Sequence, residues 1–226
     1  MTRVVRGRAS DVETDREVTR ALADDVGETG EPVVRAWTPH RQVAFGRRDA
    51  RADGYYRARE AAREHGFPPY ERSVGGRAVA YTGSTVAFVR VEPIADLRTG
   101  MDERYDAAVA DLRRALADLG VEAERGEPAD AWCPGAHSLS ATGKIVGIAQ
   151  RVQQGAAQVA GIVIVRECEE IAAVLADVYD ALDVPFDPDT VVSLARDGGL
   201  ANPELVARTI EDALVGDREP TIEHVE

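Results

Sequence analysis

Residues 156–165, Ala-Ala-Gln-Val-Ala-Gly-Ile-Val-Ile-Val, constrain this chain more than any other stretch. They end in β-branched residues and show no clear polar–apolar alternation, the pattern of a strand covered on both faces. Such a strand needs a layer of chain on each side, which implies a sheet with helices packed against it. The run is broken by Gln158 and is far too short to cross a bilayer. Just before it stands Gly143-Lys144-Ile145-Val146-Gly147-Ile148-Ala149-Gln150-Arg151. Lys144 is the only lysine in 226 residues; the other 26 of the 27 basic residues are arginines. A lysine kept beside a glycine and next to a strand, in a chain that otherwise uses arginine, points to a site where a compact charge with three rotatable donors is required. Nearby glycines let backbone and ligand approach closely.

The rest of the chain supplies the layers. Ser10-Asp11-Val12-Glu13 has capping-box spacing and predicts a helix to about residue 26. Strands are expected at Val33–Trp37 and Gln42–Phe45. A helix is expected at Tyr55–Glu64, with Gly66 just past its end and Pro68-Pro69 stopping it. Further strands are predicted over 77–81 and 85–91. Met101, Tyr105, Ala108, Leu112, Leu116 and Leu119 recur at helical spacing as a core face, with Gly120 as the stop. A short strand at 121–123, a loop over 127–135, a return to the sheet at 137–141 and a strand over 157–165 follow. Ile171, Val174, Leu175, Val178 and Leu182 mark another helix, and Asn202-Pro203 opens a last one. The charged tail 216–226 reads as mobile. The sum is an α+β fold, one domain over 1–226, with a mixed β-sheet and flanking helices.

Charge narrows the partners. Forty acidic against 27 basic residues give a net charge of −13, which disfavours nucleic acid and anionic membrane. Acidic excess with near-absent lysine fits a high-salt interior, where self-repulsion is screened. No apolar stretch follows Arg3, Arg6 and Arg8, so no signal peptide is expected and the protein reads as cytoplasmic. The two cysteines, Cys133 and Cys168, form neither a metal pattern nor a disulfide framework. Adjacent Gly75 and Gly76, before a strand, suggest a loop whose N–H groups can face an anion. His137 shows no partner in the sequence.

Two segments together resemble the lipoate–protein ligase A and octanoyltransferase family, relatives of the biotin ligases. Arg72, Gly75, Gly76, Arg77 and Ala78 resemble that family's Arg-Arg-x-x-Gly-Gly-x-Ala-Val loop, and Gly143, Lys144, Gly147 and Ala149 lie in its second motif. The resemblance covers roughly 32–214. It implies a biotin/lipoate ligase catalytic-domain-like sheet with a groove for a medium-chain acyl group. It further implies a glycine loop at the acyl and phosphate site, and Lys144 against the acyl carbonyl or the phosphate of an acyl-adenylate. The chain departs from the pattern at Glu71, where the first arginine often lies, and at Tyr81, where a histidine is common.

The activity so implied is attachment of a lipoyl or octanoyl group to a lysine of a lipoyl domain, on an acyltransferase subunit or a glycine-cleavage carrier protein. The leading expectation is a ligase that works through an acyl-adenylate with ATP and Mg²⁺, its short length suggesting a separate small ligase subunit, and the transferase is the alternative. As a cysteine-dependent octanoyltransferase fed by an acyl carrier protein it would need no cofactor. Cys133, in the loop before the second motif, would then carry the acyl group; otherwise it packs as a small apolar residue. From another class comes a non-catalytic acyl-binding or partner subunit, disfavoured by the joint presence of Gly75-Gly76 and Lys144.

Overall fold

The computed structural model describes residues 1–72 and 76–225. In chain order its elements are β1 (Thr2–Arg6), α1 (Val12–Thr29), β2 (Val33–Trp37), β3 (Gln42–Phe45), α2 (Tyr55–Glu64), β4 (Pro69–Glu71), β5 (Val79–Tyr81) and β6 (Val86–Pro93). There follow α3 (Met101–Asp118), β7 (Glu124–Arg125), β8 (Leu139–Ser140), β9 (Lys144–Gln153), β10 (Ala156–Val163), α4 (Cys168–Ala181), α5 (Pro203–Val215) and β11 (Pro220–His224).

A hairpin organises the sheet. Gln154-Gly155 closes β9 onto β10 in a two-residue turn, with Gly155 at φ 80° where a side chain would be strained. β10 pairs on its other side with β6, antiparallel from Ala156↔Pro93 to Val163↔Val86, which places the expected doubly flanked strand inside the sheet. The full order is β11-β1-β2-β6-β10-β9-β8-β7, mixed because β1 runs parallel to both neighbours. A smaller sheet, β4-β3-β5, stands beside it.

Three apolar clusters hold the layers together. α3 and α5 cover one face, with Leu112, Leu116, Ile210 and Leu214 against Val34, Val86, Val146 and Val163. Full burial of one such side chain contributes about 1.5–3 kcal/mol. Leu22, Ala23 and Val26 of α1 pack on Val33, Val89 and Val91. α2 and α4 seat the small sheet, joining Phe45, Ala58 and Val79 to Ile162, Val174 and Val178.

Several expectations need correction. The cap of α1 is Asp11, whose carboxylate accepts from the Glu13 and Thr14 N–H groups, so Ser10 and Glu13 do not form the capping box. Residues 121–123 are not a strand; the chain pairs only at β7. Met101 is half exposed, so the core face of α3 begins further along. The middle of β10 is only half buried, because Gln158, Ala160 and Gly161 face a cleft. Where charge suggested a mobile tail, β11 adds an edge strand, its backbone laddered to β1 and Glu223 bridged to Arg3 at 3.0 Å.

Candidate functional site

Between α1, the small sheet and the central strands lies a cleft of about 520 Å³, within the size range of small-molecule sites. Its floor is made of small residues, Gly147, Ala149, Ala160 and Gly161, with Phe88 and Ile162 alongside. The glycines are sterically required. A Cβ on Gly161 would lie 2.3 Å from the Gly147 carbonyl oxygen and 2.4 Å from Phe88 Cζ. One on Gly147 would lie 2.9 Å from the Trp132 ring.

Cys133 lines the same cleft, on the loop between β7 and β8. Its backbone is left-handed, φ 40°, a conformation that strains a non-glycine residue. Three contacts hold it there. The Cys133 N–H donates to the Tyr179 hydroxyl at 2.7 Å, and the Cys133 carbonyl accepts from Lys144 Nζ at 2.9 Å. Arg72 Nη2 lies 3.7 Å from Sγ and donates to the Arg77 carbonyl at 2.6 Å. Gly76, at φ 87°, makes this approach possible, since a Cβ there would sit 2.9 Å from Arg72 Nη2 and 3.0 Å from Cys133 Sγ. Burial opposes the Arg72 charge, yet Cys133 and Tyr81 hold its pKa above the ordinary value.

Lys144 opens β9 and is fully buried. All three ammonium donors are engaged: Glu127 Oε2 at 2.7 Å, the Trp132 carbonyl at 2.7 Å and the Cys133 carbonyl at 2.9 Å. Burial pulls its pKa down and Glu127 pulls it back. The lysine thus grips the cysteine loop from beneath and does not line the cleft.

Of the residues expected at the site, Arg72, Gly76, Cys133, Gly147 and Ala149 line the cleft together. Arg77 instead ion-pairs with buried Asp49 at 3.2 Å, and Ala78 is buried with its carbonyl on Tyr179. Gly143 is needed for a close approach within the chain: a Cβ there would lie 2.4 Å from Val192 Cγ2. Gly75 lies outside the described residues. Cys168 is buried beside Ser193, as packing predicts.

Sequence reasoning missed other members. Tyr179 sits on the apolar face of α4, and only the rule that a buried phenol finds a partner could have marked it. Glu127 accepts from Lys144, from Ser138 Oγ at 2.7 Å and from the Gly135 N–H at 2.8 Å, tying the two ends of the loop. His137 does have partners: its ring stacks on Tyr105 with centroids 3.6 Å apart, and Nδ1 accepts from Arg125. Burial, then Arg125, hold the His137 pKa below the ordinary value.

The cleft is cationic although the chain is acidic. Arg16, Arg20, Arg72 and Arg151 line it, and among the described residues none is ion-paired with a carboxylate. Asp15, which also lines it, is neutralised by Arg35 at 2.5 Å and accepts from Trp37 Nε1 at 2.9 Å. Arg16 lies over the Tyr70 ring and donates to Gln42 Oε1; burial lowers its pKa. Among the described residues, no group of three or more His, Cys, Asp or Glu is placed to hold a metal, and no helix is long and apolar enough to cross a membrane.

A mixed sheet with flanking helices and a cleft across its central strands is the fold of a known class. The chain belongs to the lipoyl protein ligase A/B catalytic domain family, whose model matches residues 11–190. It is similar to the octanoyl-[GcvH]:protein N-octanoyltransferase of Kyrpidia tusciae, 33% identical over 156 residues, covering 68% of this chain and 54% of that protein. The enzyme of the same name from Exiguobacterium sibiricum is 34% identical over 125 residues, 54% of this chain and 45% of its own. The chain thus spans about half the length of the curated relatives it matches. In fold it is similar to a lipoate-protein ligase A bound with ATP, with a TM-score of 0.78 at 17% identity, covering 100% of this chain and 89% of that one.

Proposed function

We propose that this protein attaches octanoyl or lipoyl groups to a lysine of a lipoyl domain, and that Cys133 carries the acyl group between donor and acceptor. The observation that supports this most is the position of the thiol, at the cleft wall with the Arg72 guanidinium 3.7 Å from Sγ. The thiolate is the nucleophile in such a transfer, and a cation beside the sulfur can pair with its charge. Sγ attacks the acyl carbonyl of the donor and forms a C–S bond. The donor's leaving group, a thiol or an amine, departs with the proton. The acceptor lysine amine then attacks the thioester, a C–N bond forms, the C–S bond breaks and the thiol recovers its proton. The glycine and alanine floor leaves room for the alkyl chain. Arg72, Gly76, Gly147 and Ala149 border the reacting group, while Lys144 and Gly143 shape the loop and strand beneath it.

No cofactor is needed on this route. The donor and acceptor fit the glycine-cleavage carrier named for the relatives and the lipoyl domain of an acyltransferase subunit, in a cytoplasmic setting. A second reading is supported by the four cleft arginines that have no carboxylate partner among the described residues. They suit the phosphate of an acyl-adenylate, so ATP-dependent ligation, with or without a small partner subunit, is the alternative. Mg²⁺ would then enter on the nucleotide phosphates, a mode that requires no protein cage.

Incubation with the octanoylated glycine-cleavage carrier, followed by intact-mass measurement, tests the proposal. An octanoyl adduct that is absent from Cys133→Ala is expected. Full ligation of free lipoate with ATP by Cys133→Ala, and no adduct on the wild type, would replace transfer with ligation.

A further inference from the structure

We infer that Tyr179 and Glu127 are positioning residues for Cys133, holding its backbone in the left-handed conformation that presents the thiol to Arg72. The inference rests on the thioester role proposed for Cys133.

Two backbone groups of Cys133 are anchored in opposite directions. Its N–H is fixed by the Tyr179 hydroxyl at 2.7 Å. The same hydroxyl donates to the Ala78 carbonyl at 3.0 Å, so one buried oxygen bridges the cysteine loop and the segment leading from Gly76 into β5. Tyr179 reaches this point from α4, where its ring is enclosed and packs on Phe186. Burial raises the pKa of the phenol, so it stays protonated and keeps donating to Ala78. On the other side, the Cys133 carbonyl is held by Lys144, whose ammonium is oriented by Glu127. Glu127 also takes the Gly135 N–H and the Ser138 hydroxyl, closing the loop on both sides of the cysteine.

The geometry has a chemical consequence. A residue at φ 40° relaxes to the ordinary region when its restraints are removed, and the relaxation swings Cα–Cβ away from its original direction. Sγ has little tolerance, since Gly76 leaves room on one side and Arg72 Nη2 lies 3.7 Å away. Loss of the phenol oxygen would also leave the Cys133 N–H and the Ala78 carbonyl without their partner inside the protein. Neither Tyr179 nor Glu127 lines the cleft, so substrate affinity should be spared.

The test measures the rate of octanoyl adduct formation from the octanoylated glycine-cleavage carrier, by intact mass, across donor concentrations. Tyr179→Phe and Glu127→Gln are each expected to lower kcat tenfold or more, with donor KM within twofold of wild type. Alkylation of Cys133 by iodoacetamide should change in the same variants. Asn202→Ala, which removes the cap of α5 far from the loop, serves as the control for general destabilisation and should keep the wild-type rate. A fall in rate shared by Asn202→Ala, a raised KM with kcat kept, or an unchanged adduct rate in both variants overturns the positioning role. If Tyr179→Phe does not melt cooperatively, Glu127→Gln, isosteric and on a partly exposed side chain, decides alone. Absence of any adduct on the wild type overturns the thioester reading itself, a result distinct from slow adduct formation in the variants.

Discussion

Replacing Lys144 by methionine removes the ammonium while keeping most of the side-chain volume, and the structure sets the size of the effect. The Trp132 and Cys133 carbonyls lose their donor, at about 1 kcal/mol each for a buried acceptor left unmade. Glu127 loses its cation but keeps Ser138 and the Gly135 N–H, and its side chain is 18% exposed, so about 1–2 kcal/mol is expected there. Relief of the buried ammonium's desolvation offsets part of this. The net loss comes to about 3 kcal/mol, at the lower end for a buried pair deprived of one partner. Against a stability of about 5–15 kcal/mol this is a large fraction. Urea unfolding followed by tryptophan fluorescence measures it, since Trp132 lies under the ammonium with Nζ 4.5 Å from the ring. A loss below about 1 kcal/mol would show that Lys144 does not hold the loop. Arginine is no safer, because a longer planar group must enter a space already closed by three oxygens.

Gly161→Ala should cost about 1–3 kcal/mol by overpacking and raise KM for the acyl donor, because its Cβ meets a backbone oxygen and Phe88; unchanged KM and urea midpoint would refute the steric argument. His137, held below its ordinary pKa, is favoured neutral in the fold, so its contribution is present above the ordinary imidazole range and is lost as pH falls through the lower folded value. Urea midpoints between pH 8 and pH 4 should therefore drop more steeply on the acid side for wild type than for His137→Asn, and parallel curves would refute this. If the −13 charge reflects a high-salt interior, the melting temperature should rise from dilute buffer to molar salt; a flat response would reduce the acidic excess to compositional bias.

Local chemistry was legible in the sequence where local chemistry decides structure. Tyr55–Glu64 was readable from the stop at Gly66 and Pro68-Pro69, and the last helix from its Asn202 cap and the proline after it, because these signals lie next to the element they mark. Val33–Trp37 was readable from its β-branched residues. The glycine and lysine motifs, and Cys133 in the loop before Gly143, were marked through the family resemblance, and Arg72, Gly76, Cys133 and Gly147 come together along one cleft. What could not be read was direction. Nothing near Lys144 shows that its charge turns inward to Glu127 and two carbonyls, or that the cation beside the thiol is Arg72. Tyr179 looks like one more apolar helix position until a loop 46 residues away meets its hydroxyl. β11 was missed for a related reason: all five of its residues are exposed, and a strand held by backbone pairing leaves no hydrophobic pattern.

The pairing of β1 with β11 also bears on the order of folding. Arg3 meets Glu223 across 220 residues of chain, so β1 waits for β11 before one of its flanks is covered. Until then β1 can be sheltered only by β2, its other neighbour, while an open row of amide groups faces outward. A closure of such long range is slow by its entropy and comes late. The nascent or partly unfolded chain therefore has a specific point of vulnerability to misassembly, and it lies at the sheet edge remote from the cleft, where a defect would show as aggregation before it showed as lost chemistry.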